Sequence, residues 1–532
     1  MTPDPLQENF TLAIVVIGGY LLLLLYLGWK GHQVGSSGEE DYYLAGRKQG
    51  WMISTLTIMA TFLSSFALLG APGMVYREGV VFALVALNIP VAGYCIFALG
   101  RRIWKAGSDG GFVTPADMIC SHYGNSPSLR ILVAITGILF VLPYIIMQIK
   151  AGGDLAAVLF AGSEHAYEIG AIVLALITAA YIMIGGMRSV AWTDSIQCLL
   201  LLGGMLLAGL AMTVAMGGPG AFAEKAATLP QSSLTLPGNT GIWSLPFLFT
   251  ICVLMPIGGI IQPAQWMRFY SADGPVSLRR SALIFVFALT GCYLFAIMPV
   301  GLGGQILYPL QLGDGVAPAP EVGAFDQILL VVAKENLPVL FGKTIGAVIT
   351  VLLIVATMAA SMSTADSNLH ALSAVVTRDL YGNLFRPRST EAERVWVGRV
   401  TVIGTTLIAL VLVIIGSQPE SSLKEFMAMI VGLALFAVAF SIQLLPMVID
   451  MLFVKKGTQT AAIAGLATGL VCAFAFTSLF PLFFGNDFFI VEWVNGLKKA
   501  LPMHATAWGL IPNAMVFVTV SRFGGSHPRA ST

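Results

Sequence analysis

Two adjacent hydroxyls, Ser363 and Thr364, are followed by the carboxylate of Asp366 inside an apolar run, Ile345 to Val376, that is long enough to cross a bilayer. An ionised group at that depth is costly, so it marks either function or a buried partner. Small residues before the pair, Ala359, Ala360 and Ser361, keep the helix surface thin around it. Hydroxyl and carbonyl oxygens are what a small hard cation takes in exchange for water, and Na+ is the ion they would suit. The same residues would also let two helices pack closely with no ion between them. His370, about two helical turns further on, could carry a proton or simply face a neighbouring helix as a polar contact.

The elements that must position such a site are irregular. The span from Trp51 to Val75 has a centre, Ala60-Thr-Phe-Leu-Ser-Ser-Phe-Ala-Leu-Leu-Gly-Ala-Pro-Gly73, that mixes small, hydroxylated and helix-breaking residues. Pro72 removes a donor, and Gly70 and Gly73 weaken the helix around it. Further along, the run Phe247 to Phe269 is interrupted by Met255-Pro-Ile-Gly-Gly-Ile-Ile-Gln-Pro-Ala-Gln265. Two interrupted spans at matching places in successive sets of five predict an inverted repeat, with a binding site where the breaks meet near the midplane. Unwound backbone at that depth is tolerated only where it lines a cavity or is buried in protein. The expected layout is an N-terminal helix and cytoplasmic linker (1–49), a first repeat (50–217), an external loop (218–244), a second repeat (245–452) and two further helices with a short tail (453–532).

The 532 residues are 57% hydrophobic and only 10% charged, where a soluble domain carries about 25%. Apolar windows give about thirteen spans, so the expected class is an all-α polytopic membrane protein. Basic residues such as Arg101, Arg102, Arg268, Arg279, Arg280, Lys455 and Lys456 fall in alternate loops. The positive-inside rule makes those loops cytoplasmic, with the N-terminus outside and the C-terminus inside a plasma (inner) membrane. A net charge of +1 gives no bulk attraction to nucleic acid. The six histidines never occur at ligand spacing on one helix and the Walker pattern is absent, which argues against an enzyme. The six cysteines are scattered without a CxxC pair and read as apolar fillers. What remains is a secondary transporter whose partners are the lipid bilayer, a small solute and a driving ion, with a transporter-like sensor as the rival.

Four stretches resemble the sodium:solute symporter family: Asp41-Tyr-Tyr-Leu-Ala-Gly-Arg47, Gly70-Ala-Pro-Gly-Met-Val-Tyr76, Gly185-Gly-Met-Arg-Ser-Val-Ala-Trp-Thr-Asp-Ser-Ile-Gln197, and Met362-Ser-Thr-Ala-Asp-Ser367 followed by Thr377-Arg-Asp-Leu-Tyr381. The resemblance implies thirteen helices, two inverted five-helix repeats of the leucine-transporter-like fold, and Na+ as the coupling ion. It also implies a Na+ shell made of the carbonyls of Ala60, Leu63 and Ala360 and the hydroxyls of Ser363 and Thr364, with Asp194 on the inner path of the ion. Ala360 precedes the two hydroxyls by three and four residues, which puts all three on one helix face.

Departures from the family pattern bear on the solute. Sugar-transporting members line the pocket with amides and an acid where this chain has Phe62, Ala67, Val85, Ala86 and Met255, so a sugar's hydroxyls would lack partners. Proline-transporting members carry aromatic residues at the positions of Met255 and Gly259, although their fourth-helix tyrosine is matched by Tyr144. Gln148, one turn later, can both donate and accept. The stretch Ser64 to Gly73 looks more like the pantothenate and monocarboxylate branch. The expected solute is therefore a small carboxylate with an apolar portion, seated on exposed amides around Ser64 and Ser65 where the first broken helix restarts. A Na+-coupled amino acid or sugar symporter, and H+ coupling through Asp366 or His370, are the alternatives.

Overall fold

The computed structural model of the protein describes residues 10–34, 38–160, 163–313 and 315–523. Among these, nine helices are long and apolar enough to cross a membrane, or up to twelve if each of three sharply bent pairs is one span, and Gln459–Ala475 is a shorter apolar helix. The two interrupted runs expected from the sequence, 51–75 and 247–269, fall on two of the bent pairs. The departure from an all-helical chain is small: Gln311–Leu312 pairs antiparallel with Val316–Ala317, and Gln49 bridges Ala272. The segment 218–244, expected as a loop, also folds in part as short helices, Pro219–Ala226 and Gln231–Leu234.

Helix α1 (Phe10–Val34) leads to the first bent span, whose halves are α2 (Trp51–Phe62) and, after a widened turn over Phe66–Gly70, α3 (Ala71–Glu78). The halves meet at 57°. Leu63 is extended at the break (φ −85°, ψ 112°), and serine hydroxyls compete there with the helix for backbone partners. Phe66 N–H donates to Ser64 Oγ at 3.1 Å and Ala67 N–H to Ser64 O at 2.8 Å, so Ser64 restarts the helix. Helices α4 (Asn88–Cys95) and α5 (Pro127–Leu159) follow, and then α6 (Ala166–Ala215), which changes direction at Gly186 (φ 60°, ψ −167°). Only glycine adopts that conformation without strain.

The second bent span joins α7 (Met255–Ile260) to α8 (Pro263–Ser271), and its arms meet at 53°. Pro263 suits a first helical turn because its missing N–H is not needed there. Gln262 caps the restart, its Oε1 accepting from Ala264 N–H at 2.6 Å. Helices α9 (Pro275–Cys292), α10 (Lys343–Ala374), α11 (Glu391–Ser417) and α12 (Ile430–Ser441) complete the body around the site. Of the apolar spans α10 is the most enclosed, 78% of its window being buried, so its polar side chains face protein and not lipid.

The segment between α9 and α10 is tied into the body by charge. Lys150 Nζ on α5 lies 2.5 Å from Asp154 Oδ2 and 3.2 Å from Asp326 Oδ2, and the same Asp326 oxygen accepts from Ile430 N–H at 2.8 Å at the start of α12. Burial pushes the Asp326 carboxyl up from its ordinary range, while the Lys150 ammonium pulls it back.

Candidate functional site

Past the last helical bond of α2, from Leu63 N–H to Met59 O, the carbonyls from Ala60 onward have no partner within their own helix. Two of them meet the hydroxyl pair of α10. Thr364 Oγ1 donates to Ala60 O at 3.1 Å and Leu63 O at 3.2 Å; Ser363 Oγ reaches Ala60 O at 3.4 Å and Ala360 O at 3.2 Å. The five oxygens named from the sequence thus lie in one buried cluster. Their contacts are longer than the usual 2.7–2.8 Å hydroxyl bond, and two hydroxyls share three carbonyls. Such a neutral, all-oxygen donor set fits a small hard cation, to which each carbonyl and hydroxyl would present a lone pair.

Below this cluster, Asp194 on α6 is fully buried and meets a residue that the sequence pattern had placed in a cytoplasmic loop. Arg268 lies within α8, fully buried, with Nη2 3.1 Å from Asp194 Oδ2. Its Nε donates to Thr57 Oγ1 and its Nη1 to Ala264 O, each at 3.1 Å, and Nη2 also donates to Ser367 Oγ. Thr57 Oγ1 donates in turn to Asp194. One guanidinium therefore joins the lower arms of both broken spans to α6 and α10. The positive-inside count missed this because it registers where a cation falls along the chain and not what it pairs with. Asp366 accepts from Tyr181 Oη at 2.9 Å, and the His370 ring packs 5.5 Å from that of Tyr42 and 5.4 Å from that of Tyr43. Further along the chain, Arg378 pairs with Asp117 and Glu39, and Asp379 with Arg130.

Beside the oxygen cluster runs a cleft lined by Phe62, Leu63, Phe66 and Ala67 from the first break, Asn88, Tyr144, Met255, Pro256 and Gly259 from the second, Tyr293 and Val438. Of the residues expected to contact solute, it gathers Phe62, Ala67, Tyr144, Met255 and Gly259, and leaves out Ser64, Val85, Ala86 and Gln148. Val85 and Ala86 belong to the tight turn Leu84–Leu87, and Val85 is fully buried in the core. Gln148 is buried and already engaged: its Oε1 accepts from Ser65 N–H at 3.2 Å and Ser65 Oγ at 2.8 Å, and its Nε2 donates to Tyr144 O. The amides expected to seat a carboxylate are thus taken, Ser65 N–H by Gln148 and those of Phe66 and Ala67 by Ser64. Asn88 and Tyr293 were not found from the sequence, because each stands at the edge of an irregular turn where side-chain direction has no period to read.

The lining carries no charged side chain. Gly259 keeps the cleft open, since a Cβ there would come within 3.3 Å of Phe62 Cε2. Leu63 belongs to both features: it lines the cleft, and its carbonyl is part of the oxygen cluster.

A family model described as the sodium:solute symporter family matches residues 42–469. The chain is 27% identical over 505 residues to a sodium/proline symporter of Haemophilus influenzae, covering 93% of each protein. It is also 27% identical over 510 residues to a monocarboxylic acid transporter of Corynebacterium glutamicum, covering 92% of this chain and 87% of that one. Among solved structures, a substrate-bound, outward-open Na+-coupled sialic acid symporter superposes with a TM-score of 0.75 at 17% identity, over 98% of this chain and 99% of that one.

Proposed function

The chain belongs to the sodium:solute symporter family, a Na+-coupled transporter of the leucine-transporter-like fold, and from that premise we propose that its solute is a zwitterionic amino acid, proline or a close analogue. The observation that carries this reading is the uncharged cleft beside the oxygen cluster. No side chain of the cleft offers a carboxylate alone a counter-charge, so its compensation would have to come from the Na+ in the neighbouring oxygen cluster. A zwitterion brings its own. The apolar walls of Phe62, Phe66, Met255 and Val438 suit a compact aliphatic ring, and Tyr144 and Tyr293 supply hydroxyl donors at its edge. The sodium/proline symporter among the relatives supports the same class.

The coupling ion in this reading is held by Ala60, Leu63, Ala360, Ser363 and Thr364. Na+ supplies a positive charge that ties the end of α2 to α10, and with the break fixed, the Leu63 side of the cleft is fixed as well. Solute then meets a formed wall, which is how ion binding raises solute affinity. Asp194 and Arg268 close the route beneath, and their separation would open it toward the cytoplasm. The inverted repeats, 50–217 and 245–452, are the two bodies whose relative motion exposes the cleft to each side in turn.

Proteoliposomes given labelled proline or a labelled short monocarboxylate, with a Na+ or a K+ gradient, test this directly. Na+-driven accumulation of proline is expected. Na+-driven uptake of the monocarboxylate with none of proline would overturn the solute assignment in favour of the acid, the class of the second relative.

A further inference from the structure

The polar side chains on the cleft wall are not equivalent. Tyr144 and Tyr293 carry hydroxyls that can donate to a carboxylate. Asn88 is only 2% exposed, and its Oδ1 has no hydrogen-bond partner. A buried amide oxygen left unpaired is costly, and the residue that carries it lines the cleft at the start of α4. That oxygen can only accept. A carboxylate has no hydrogen to give it, whereas an ammonium or imino nitrogen does.

We propose that Asn88 is a specificity-determining residue of this transporter, its carboxamide oxygen accepting from the cationic N–H of the solute and so selecting amino and imino acids over simple carboxylates. The inference rests on the amino acid reading above and deepens it. It assigns the two ends of the zwitterion to opposite partners: the carboxylate to the tyrosine hydroxyls and the nitrogen to Asn88. It also explains how a cleft without an acidic side chain recognises a cation, since a neutral acceptor that is otherwise unsatisfied adds no net charge of its own.

The test compares proline with cyclopentanecarboxylate, the same ring and carboxylate with the nitrogen replaced by carbon. Affinities of purified protein for each, in Na+, are measured for the wild type, Asn88→Leu and Asn88→Asp. The wild type should favour proline. Asn88→Leu should lose proline affinity by about 10- to 100-fold, the size of one hydrogen bond to a charged group, with cyclopentanecarboxylate little changed. Asn88→Asp keeps the acceptor, should lose less proline affinity than Asn88→Leu, and should reject cyclopentanecarboxylate more strongly than the wild type. It supplies the measurement if the leucine variant does not fold. Equal losses for both ligands in Asn88→Leu would make Asn88 a structural residue and overturn the proposal, as would an unchanged preference in both variants. Wild-type binding of cyclopentanecarboxylate and not proline would overturn the amino acid reading itself, a result distinct from either failure at Asn88.

Discussion

In the first broken span the carbonyls of Ala60 and Leu63 are left for hydroxyls on another helix, and Gln148 of α5 holds the amide of Ser65. In the second, Gln262 caps its own restart, and the Gly258 carbonyl accepts from Ser441 Oγ of α12 at 2.9 Å. The first break therefore depends on partners far along the chain and has an oxygen cluster to offer a cation. The second is largely self-capped and contributes instead the shape of the cleft through Met255, Pro256 and Gly259. The first break gathers three carbonyls and two hydroxyls in one place, whereas the Gly258 carbonyl of the second meets a single hydroxyl.

The largest effect should come where the two breaks are joined. Arg268→Met strands Asp194 without its cation in a buried setting, and about 3–5 kcal/mol of stability should be lost, read as a lowered unfolding temperature in detergent. Asp194→Asn added to it should recover much of that loss, and a single variant as stable as the wild type would show that the lower arms are not held together by this pair. Ser363→Ala with Thr364→Ala removes two oxygens from the cluster and should raise the Na+ concentration for half-maximal uptake on the order of 100-fold, taking about 1.4 kcal/mol for each. Wild-type Na+ activation in that double variant would remove the ion from the first break.

Gln148→Ala leaves Ser65 N–H unpaired, about 1–3 kcal/mol. Because that amide belongs to the first break, apparent affinities for Na+ and solute should fall together in uptake assays, and a change in solute affinity alone would mean that Gln148 touches solute directly. The smallest effect is expected at the second break. Gln262→Ala removes only a cap, about 1 kcal/mol; thermal unfolding should shift by a few degrees and Na+ half-saturation should stay put. A Na+ response at Gln262 would erase the distinction between the breaks.

Much of this arrangement was legible in the chain. Proline and glycine interruptions in Trp51 to Val75 and Phe247 to Phe269 reported both breaks, because few other residues stop a helix in a bilayer. Ser363, Thr364 and Ala360 share a face by helical spacing alone, and their grouping with Ala60 and Leu63 follows from the family motif. Arg268 was read as a loop cation because hydropathy ends the span near it, while the folded chain extends α8 past it to Ser271. The cleft wall was read only in part. Val85 and Ala86 were chosen by position, but the turn at Leu84–Leu87 sends Asn88 to the cleft. The carboxylate seat at Ser64 and Ser65 failed for another reason: whether a break's amides are free depends on Gln148, a partner on α5.

In the function proposed here, Leu63 is one residue with a stake in two equilibria. If its carbonyl takes part in holding the ion while its position shapes the cleft, the interaction is a single free energy shared by both ligands, and linkage makes it symmetric. Whatever factor Na+ contributes to solute binding, bound solute must return to Na+ binding. A titration of either ligand at fixed levels of the other therefore measures the same quantity, and substitutions that alter how Leu63 is held should change that factor without having to change either intrinsic affinity.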